Sequence, residues 1–204
     1  MKKILILFAH PRYESSRANQ ALLAGISKLE GVTIHDLYEH YPDFNIDVNY
    51  EKELLTQHDI IVWQHPFYWY SCPPLLKQWI DMVLEFGWAY GSVGQALEGK
   101  QVLNVLTTGG NREVYCTEGR NNYTIKEFLR PFEQTARLCG MEYLPPFAVM
   151  GTHQLSYEVL RKDVQLYRGL LQSLMKQELV IPTADSCQFL NDLPILQNDP
   201  DHER

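Results

Sequence analysis

The sequence predicts an α/β protein: a doubly wound, five-stranded parallel sheet with helices on both faces. Three observations carry this expectation. Short apolar runs rich in β-branched residues alternate with longer runs of helical spacing, with no internal repeat and no linker between them. The run Asp59-Ile60-Ile61-Val62-Trp63 has the length and composition of a buried strand. It is followed by four successive aromatics, Phe67-Tyr68-Trp69-Tyr70, and then by an amphipathic run, so the rings fall on a strand-to-helix loop. In an open α/β sheet such loops lie at the carboxyl ends of the strands, where ligands bind.

The elements follow in order. Lys3 to Ala9 reads as the first strand, and Ser16 to Leu29 as the first helix, with Ala18, Leu22, Leu23, Ile26 and Leu29 at helical spacing. Val32 to Leu37 is the second strand, Tyr50 to Gln57 a short helix, and Asp59 to Gln64 the third strand. Pro74 to Glu85 is a longer helix, since proline is accepted in a first helical turn. Lys100 to Thr107 is the fourth strand, and Thr124 to Cys139 is helical with Gly140 as its stop. Met141 to Met150 is a fifth strand interrupted by Pro145-Pro146, and Ser156 to Gln177 a last helix. Residues 1–180 form the expected domain; residues 181–204, rich in proline and aspartate from Pro182 onward, read as an extended tail lying on a partner subunit.

Composition narrows the function. A chain of 204 residues with 45% apolar content buries a substantial core unaided. Cys72, Cys116, Cys139 and Cys187 are widely separated, so reduced cytosolic thiols are expected rather than a disulfide framework or zinc site. The basic start Met1-Lys2-Lys3 leads into an apolar stretch that ends at His10-Pro11, too short for a signal or a membrane span. A formal net charge of -7 with no basic stripe argues against a nucleic-acid partner. The histidines lack metal-ligand spacing, and no G-x-S-x-G elbow is present. Gly94 to Lys100 resembles a phosphate-binding loop, but Gln101 stands where serine or threonine is required and a strand follows where a helix should.

Three loops are expected to meet at the carboxyl edge. Ala9 to Asn19 opens the first helix, whose free N–H groups and dipole favour an anion, with Ser15, Ser16, Arg17 and Asn19 as further donors. Taken alone, a plain N-cap at Ser15 or Ser16, with His10 a strand-end residue, is the competing reading. The aromatic loop offers a wall for a flat ligand; a core cap or a dimer interface is the competing reading of the same rings. Thr107-Thr108-Gly109-Gly110-Asn111 lets backbone approach a planar ring and donate to it, where a plain turn is the alternative. Together, a phosphate cradle, a stacking wall and a row of backbone donors suit flavin mononucleotide.

The words Ala9-His10-Pro11, Ser16-Arg17-Ala18-Asn19, Tyr41-Pro42-Asp43-Phe44-Asn45-Ile46-Asp47, Trp63-Gln64-His65-Pro66, Trp69-Tyr70-Ser71, Pro73-Pro74-Leu75-Leu76-Lys77, Gly87-Trp88-Ala89-Tyr90-Gly91, Thr107-Thr108-Gly109-Gly110 and Leu144-Pro145-Pro146-Phe147 run in order across three quarters of the chain. On these, the sequence resembles the flavodoxin-like NAD(P)H:quinone oxidoreductases. The likeness is greatest to the branch that serves as cytoplasmic ancillary subunits of glutathione-gated potassium-efflux systems. The resemblance implies a flavodoxin-like fold holding FMN, or FAD in relatives. The implied cofactor positions are His10; Ser16, Arg17, Ala18 and Asn19; Pro66, Phe67, Tyr68, Trp69 and Tyr70; and Thr107, Thr108, Gly109 and Gly110.

It also implies NAD(P)H and a quinone as alternating reactants in one pocket. Trp69, Trp88, Tyr90 and Tyr115 are the candidates to line that pocket, and Tyr115 is the catalytic candidate. Larger relatives follow that tyrosine with a histidine; here Arg120-Asn121 stands near its place, which leaves Tyr115 and solvent to handle protons. A homodimer is implied, as is a cytoplasmic location, peripheral to the inner face of the membrane through a transporter partner and without insertion of its own. The alternative function is a regulatory binding subunit of that transporter with little or no turnover, its acidic balance suited to a basic partner domain. A one-electron carrier is disfavoured, because Trp88 and Tyr90 suit an organic substrate.

Overall fold

Strands whose residues are all apolar need cover on both faces, and that requirement sets the architecture. The computed structural model describes residues 1–179 and 187–194. Strands β1 (Ile4–Phe8), β2 (Val32–Asp36), β3 (Ile60–Pro66) and β4 (Gln101–Thr107) are parallel in the order β2-β1-β3-β4. The last position is shared by β5 (Glu142–Tyr143) and β6 (Phe147–Val149), both parallel to β4. The expected fifth strand is thus two short pieces, broken at Pro145-Pro146, where proline has no N–H for the ladder. This 2-1-3-4-5 order is the doubly wound, flavodoxin-like one.

Helices cover both faces. Leu5, Leu7, Ile61, Trp63, Val102 and Leu106 pack toward α3 (Val48–Gln57), α4 (Pro74–Val83) and α6 (Arg130–Leu138) through Leu55, Trp79 and Phe132. The alternate residues Ile4, Ile6, Phe8, Val62, Leu103 and Val105 pack toward α1 (Arg17–Ile26) and α7 (Tyr157–Lys176) through Leu22, Ile26, Leu170 and Leu171. The period of two along each strand feeds both cores.

Three features differ from the sequence expectation. A four-residue helix α2 (Leu37–His40) follows β2, capped by the Asp36 carboxylate, which accepts from the N–H groups of Tyr38 and Glu39; it is too short to show a period. The helix expected over 124–139 is two, α5 (Ile125–Phe128) and α6, because Pro131 has no N–H to donate back across the junction. The described part of the tail, 187–194, does not extend away. It folds against β6, burying Phe189, Leu190 and Leu193 in its own chain, while 180–186 and 195–204 lie outside the described residues.

Beneath the carboxyl edge, the fully buried His65 donates from Nδ1 to the Pro66 carbonyl (3.0 Å), and its Nε2 accepts from Asn104 Nδ2 (3.0 Å). Tyr143 in turn donates to Asn104 Oδ1 (2.6 Å). Burial holds the imidazole down at about 4, so the unfolded chain takes a proton near 6.5 that the folded chain refuses. This contribution to stability is complete above that unfolded value and is lost as pH falls toward the folded one. Urea unfolding at about pH 7.5 and about pH 5 should show a loss that shrinks in His65→Gln; equal losses in both proteins would contradict the assignment.

Candidate functional site

Register decides which loops meet. Phe8 lies beside Gln64, Pro66 beside Thr107, and Thr107 beside Val149, so β1, β3, β4 and β6 all end at one edge. Four loops leave that edge and enclose an open cleft of about 280 Å³, with His10, Ser16, Phe67, Thr107, Gly109 and His153 among its walls.

The first wall is the start of α1. Ser16 is the N-cap: its Oγ accepts from the Asn19 N–H (3.4 Å) and from Asn19 Nδ2 (3.0 Å). Asn19 is fully buried, and Nδ2 also donates to Thr107 Oγ1 (3.0 Å) while Oδ1 accepts from Gln64 Nε2 (3.3 Å). Tyr167 on α7 donates to Gln64 Oε1 (2.9 Å), so one buried network ties this loop to β3, β4 and α7. The N–H groups of Arg17 and Ala18, in the first turn, have no intrahelical acceptor and face a position suited to an anion. The Arg17 guanidinium is turned aside: it donates to the carbonyls of Leu155 and Thr152 and lies over the Tyr157 ring (5.1 Å). It thus braces the 152–155 loop beside the cleft that Arg17 also lines. His10 is buried beside the edge of Tyr68 (5.8 Å between ring centroids), and its Nδ1 accepts from the Arg12 N–H (3.1 Å). Burial lowers its pKa, and because Nδ1 accepts, the neutral ring carries its proton on Nε2.

The aromatic loop divides the two readings of its rings. Phe67 is buried between Tyr115 and Phe128 (5.7 Å to each) and continues the ladder through its N–H to the Thr107 carbonyl (2.8 Å). Tyr68 to Ser71 then form a tight turn in which Trp69 (φ 49°) and Tyr70 (φ 64°) are both left-handed. Such turns favour Asn-Gly; bulky residues there cost about 1–3 kcal/mol each. Tyr70 recovers part of this by stacking on Phe128 (5.0 Å), whereas Trp69 stands 92% exposed, and neither ring is among the residues that line the cleft.

The third loop owes its glycines to space, since neither has a positive φ. A Cβ on Gly109 would lie 2.7 Å from His153 Nε2, and one on Gly110 would lie 2.6 Å from the Val114 side chain and 3.1 Å from the Tyr115 ring. Thr108 is buried, donating from its hydroxyl to the Gly110 carbonyl (2.6 Å). Tyr115 sits behind this loop against Phe67, and burial, with a smaller contribution from Tyr70, raises its pKa.

The fourth wall, Thr152-His153, was not anticipated. The signal was present: Gly151-Thr152-His153 lies between the end of a strand and the Ser156 N-cap, as the other loops do. Trp88 and Tyr90 are not brought to the cleft. Helix α4 runs from the carboxyl edge back toward the amino edge, so the residues after it lie at the far end, with Trp88 beneath Lys52 (5.1 Å) and Tyr90 against Phe86 (5.7 Å).

The cleft is therefore polar and anion-seeking at the α1 end and apolar and donor-lined at the Phe67–Gly109 end. A flat ring carrying a phosphate arm fits this division, with Ser16, Arg17 and Ala18 at the phosphate end, Asn19 buried behind them, and Phe67, Tyr68 and Gly109 at the ring end.

Comparison with known proteins gives matching results. Residues 2–170 match a family model described as the flavodoxin-like fold. A glutathione-regulated potassium-efflux system ancillary protein KefG from Pectobacterium atrosepticum is 47% identical over 86% of this chain and 96% of its own. The crystal structure of general stress protein 14 from Treponema denticola in complex with FMN superimposes with a TM-score of 0.81 at 39% identity, covering 84% of this chain and 99% of that one. An NADPH-quinone reductase from P. pentosaceus superimposes with a TM-score of 0.76 at 35% identity over 82% and 96% of the two chains.

Removing the buried Asn19 amide strands partners on three elements. Asn19→Ala should lower stability to urea by about 1–3 kcal/mol. An unchanged unfolding midpoint and slope would contradict the network.

Proposed function

The chain belongs to the flavodoxin-like fold family, and from that premise we propose that its cleft holds FMN and that it is an NAD(P)H:quinone oxidoreductase. We further propose that it serves as a cytoplasmic ancillary subunit of a glutathione-gated potassium-efflux transporter. The observation that carries the catalytic reading is the convergence of an anion-seeking helix start and an apolar, donor-lined wall in one cleft. FMN, when bound, would supply the ring that accepts a hydride from NAD(P)H and passes it to a quinone.

The protein's own part is binding, orientation and proton placement. The Arg17 and Ala18 N–H groups, with the Ser16 hydroxyl, would hold the phosphate; Pro66, Phe67 and Tyr68 would bound the ring, and the Gly109 and Gly110 N–H groups would donate to its polar edge, the Thr108 N–H being taken by the Val149 carbonyl. Trp69, exposed on its strained turn, would cover a flat reactant and exclude water. Tyr115, packed behind Gly110, would be the protein's proton-bearing group beside the ring. Trp88 and Tyr90 lie outside this chain's own cleft, and the homodimer is proposed on the family resemblance alone.

A second reading is favoured by the names of the curated relatives, which are those of ancillary proteins. In it the chain is chiefly a regulatory subunit, and its net charge of -7 would meet a basic cytoplasmic domain of the transporter. No helix among the described residues is long and apolar enough to cross a membrane, so attachment there would pass through that partner.

Anaerobic addition of NADPH or NADH to the FMN-loaded protein should bleach the flavin absorption, and a benzoquinone should restore it. Bound flavin that never bleaches would overturn the enzyme reading in favour of the regulator. Tyr115→Phe should slow turnover by about tenfold or more while leaving flavin content unchanged; turnover at the wild-type rate would remove Tyr115 from the mechanism.

A further inference from the structure

The family model stops at residue 170, yet the segment 187–194 lies beyond it and is packed as core. Three kinds of contact hold it. Phe189, Leu190 and Leu193 are buried against the body of the protein. The Asn191 side chain imitates a peptide group on the open side of β6: Oδ1 accepts from the Ala148 N–H (2.8 Å), and Nδ2 donates to the Ala148 carbonyl (3.2 Å). The Leu190 N–H adds a bond to the Pro146 carbonyl (2.9 Å). An edge strand is thereby closed from within the chain. The third contact reaches elsewhere. Arg112 lies over the Phe189 ring (4.6 Å) and donates from Nη2 to Asp192 Oδ1 (2.7 Å).

The destinations of these contacts matter more than their number. Arg112 opens the single turn Arg112–Val114 that directly follows Gly109-Gly110-Asn111 and precedes Tyr115. Ala148 lies in β6, which runs straight into Gly151-Thr152-His153, and the Gly151 N–H donates to the Gly110 carbonyl (2.8 Å). Through Arg112 and Ala148, one segment therefore grips the roots of the third and fourth walls of the cleft. The Arg112–Asp192 pair is half exposed, so the apolar burial does the holding and the pair sets the register.

We propose that residues 187–194 form an intramolecular clamp that positions the Gly109–Tyr115 and Gly151–His153 walls for the cofactor, with Arg112, Asn191 and Asp192 as positioning residues. The clamp's effect on the cofactor rests on the FMN reading above; its effect on the two loops does not. FMN affinity and flavin midpoint potential should be measured on the full chain for wild type, Arg112→Ala, Asp192→Ala, the double variant and Asp192→Glu. Amide hydrogen exchange should be followed on the same proteins without FMN.

Each alanine variant should weaken FMN binding by about fivefold or more and lower the flavin potential, and the double variant should be no worse than the weaker single. Asp192→Glu should restore wild-type values. Exchange should quicken in 108–115 and 148–153 and stay unchanged in 15–20 and 67–71. Wild-type affinity and exchange in the alanine variants would overturn the clamp, as would exchange that quickens throughout the chain. If the wild type itself binds no FMN, the cofactor reading fails, and local exchange alone decides the clamp.

Discussion

Everything in this protein follows from burying a parallel sheet on both faces. Strands β1, β3 and β4 are buried on both sides, so each successive strand must be reached by a helix crossing one face or the other. The crossovers deliver every strand-to-helix loop to the same edge. Because Pro66, Thr107 and Val149 are level in the register, those loops end at one height and close on a common cleft. The site is a geometric consequence of core formation, and its chemistry then depends only on which residues the loops carry.

Two local arrangements turn that edge into a site. Asn19, Gln64, Thr107 and Ser16 form a polar network where the apolar sheet gives out, each with a partner, and they fix the helix start relative to two strands. A half-satisfied network there would cost more than none, which explains why Tyr167 reaches across from α7 to complete it. The second arrangement is the strained turn at Trp69 and Tyr70. Its cost is offset in part by the stacking of Tyr70 on Phe128, and its product is an indole held 92% exposed.

The strands and long helices were legible in the sequence because their periodicity extends over many residues. What stayed hidden is local or relational. Helix α2 spans four residues and depends on the Asp36 cap; the break between α5 and α6 turns on Pro131. Of the site, the first three walls could be read from strand ends, glycines and caps. The turning of Arg17 onto the Leu155 carbonyl, the approach of His153 to Gly109 and the remoteness of Trp88 and Tyr90 could not, since each depends on how far a helix carries the chain before it turns. The inward fold of 187–194 was masked by polar, proline-containing neighbours that suggest a solvated tail.

The central claim is that four loops, distant in sequence, make one site for one flavin. Amide chemical-shift mapping with isotopically labelled protein during an FMN titration tests it directly. The account predicts that Ser16 to Asn19, Phe67 to Tyr70, Thr107 to Gly110 and Gly151 to His153 shift together and saturate at a single FMN per chain. Shifts confined to one loop, or gathered around Trp88 at the amino edge, would contradict it.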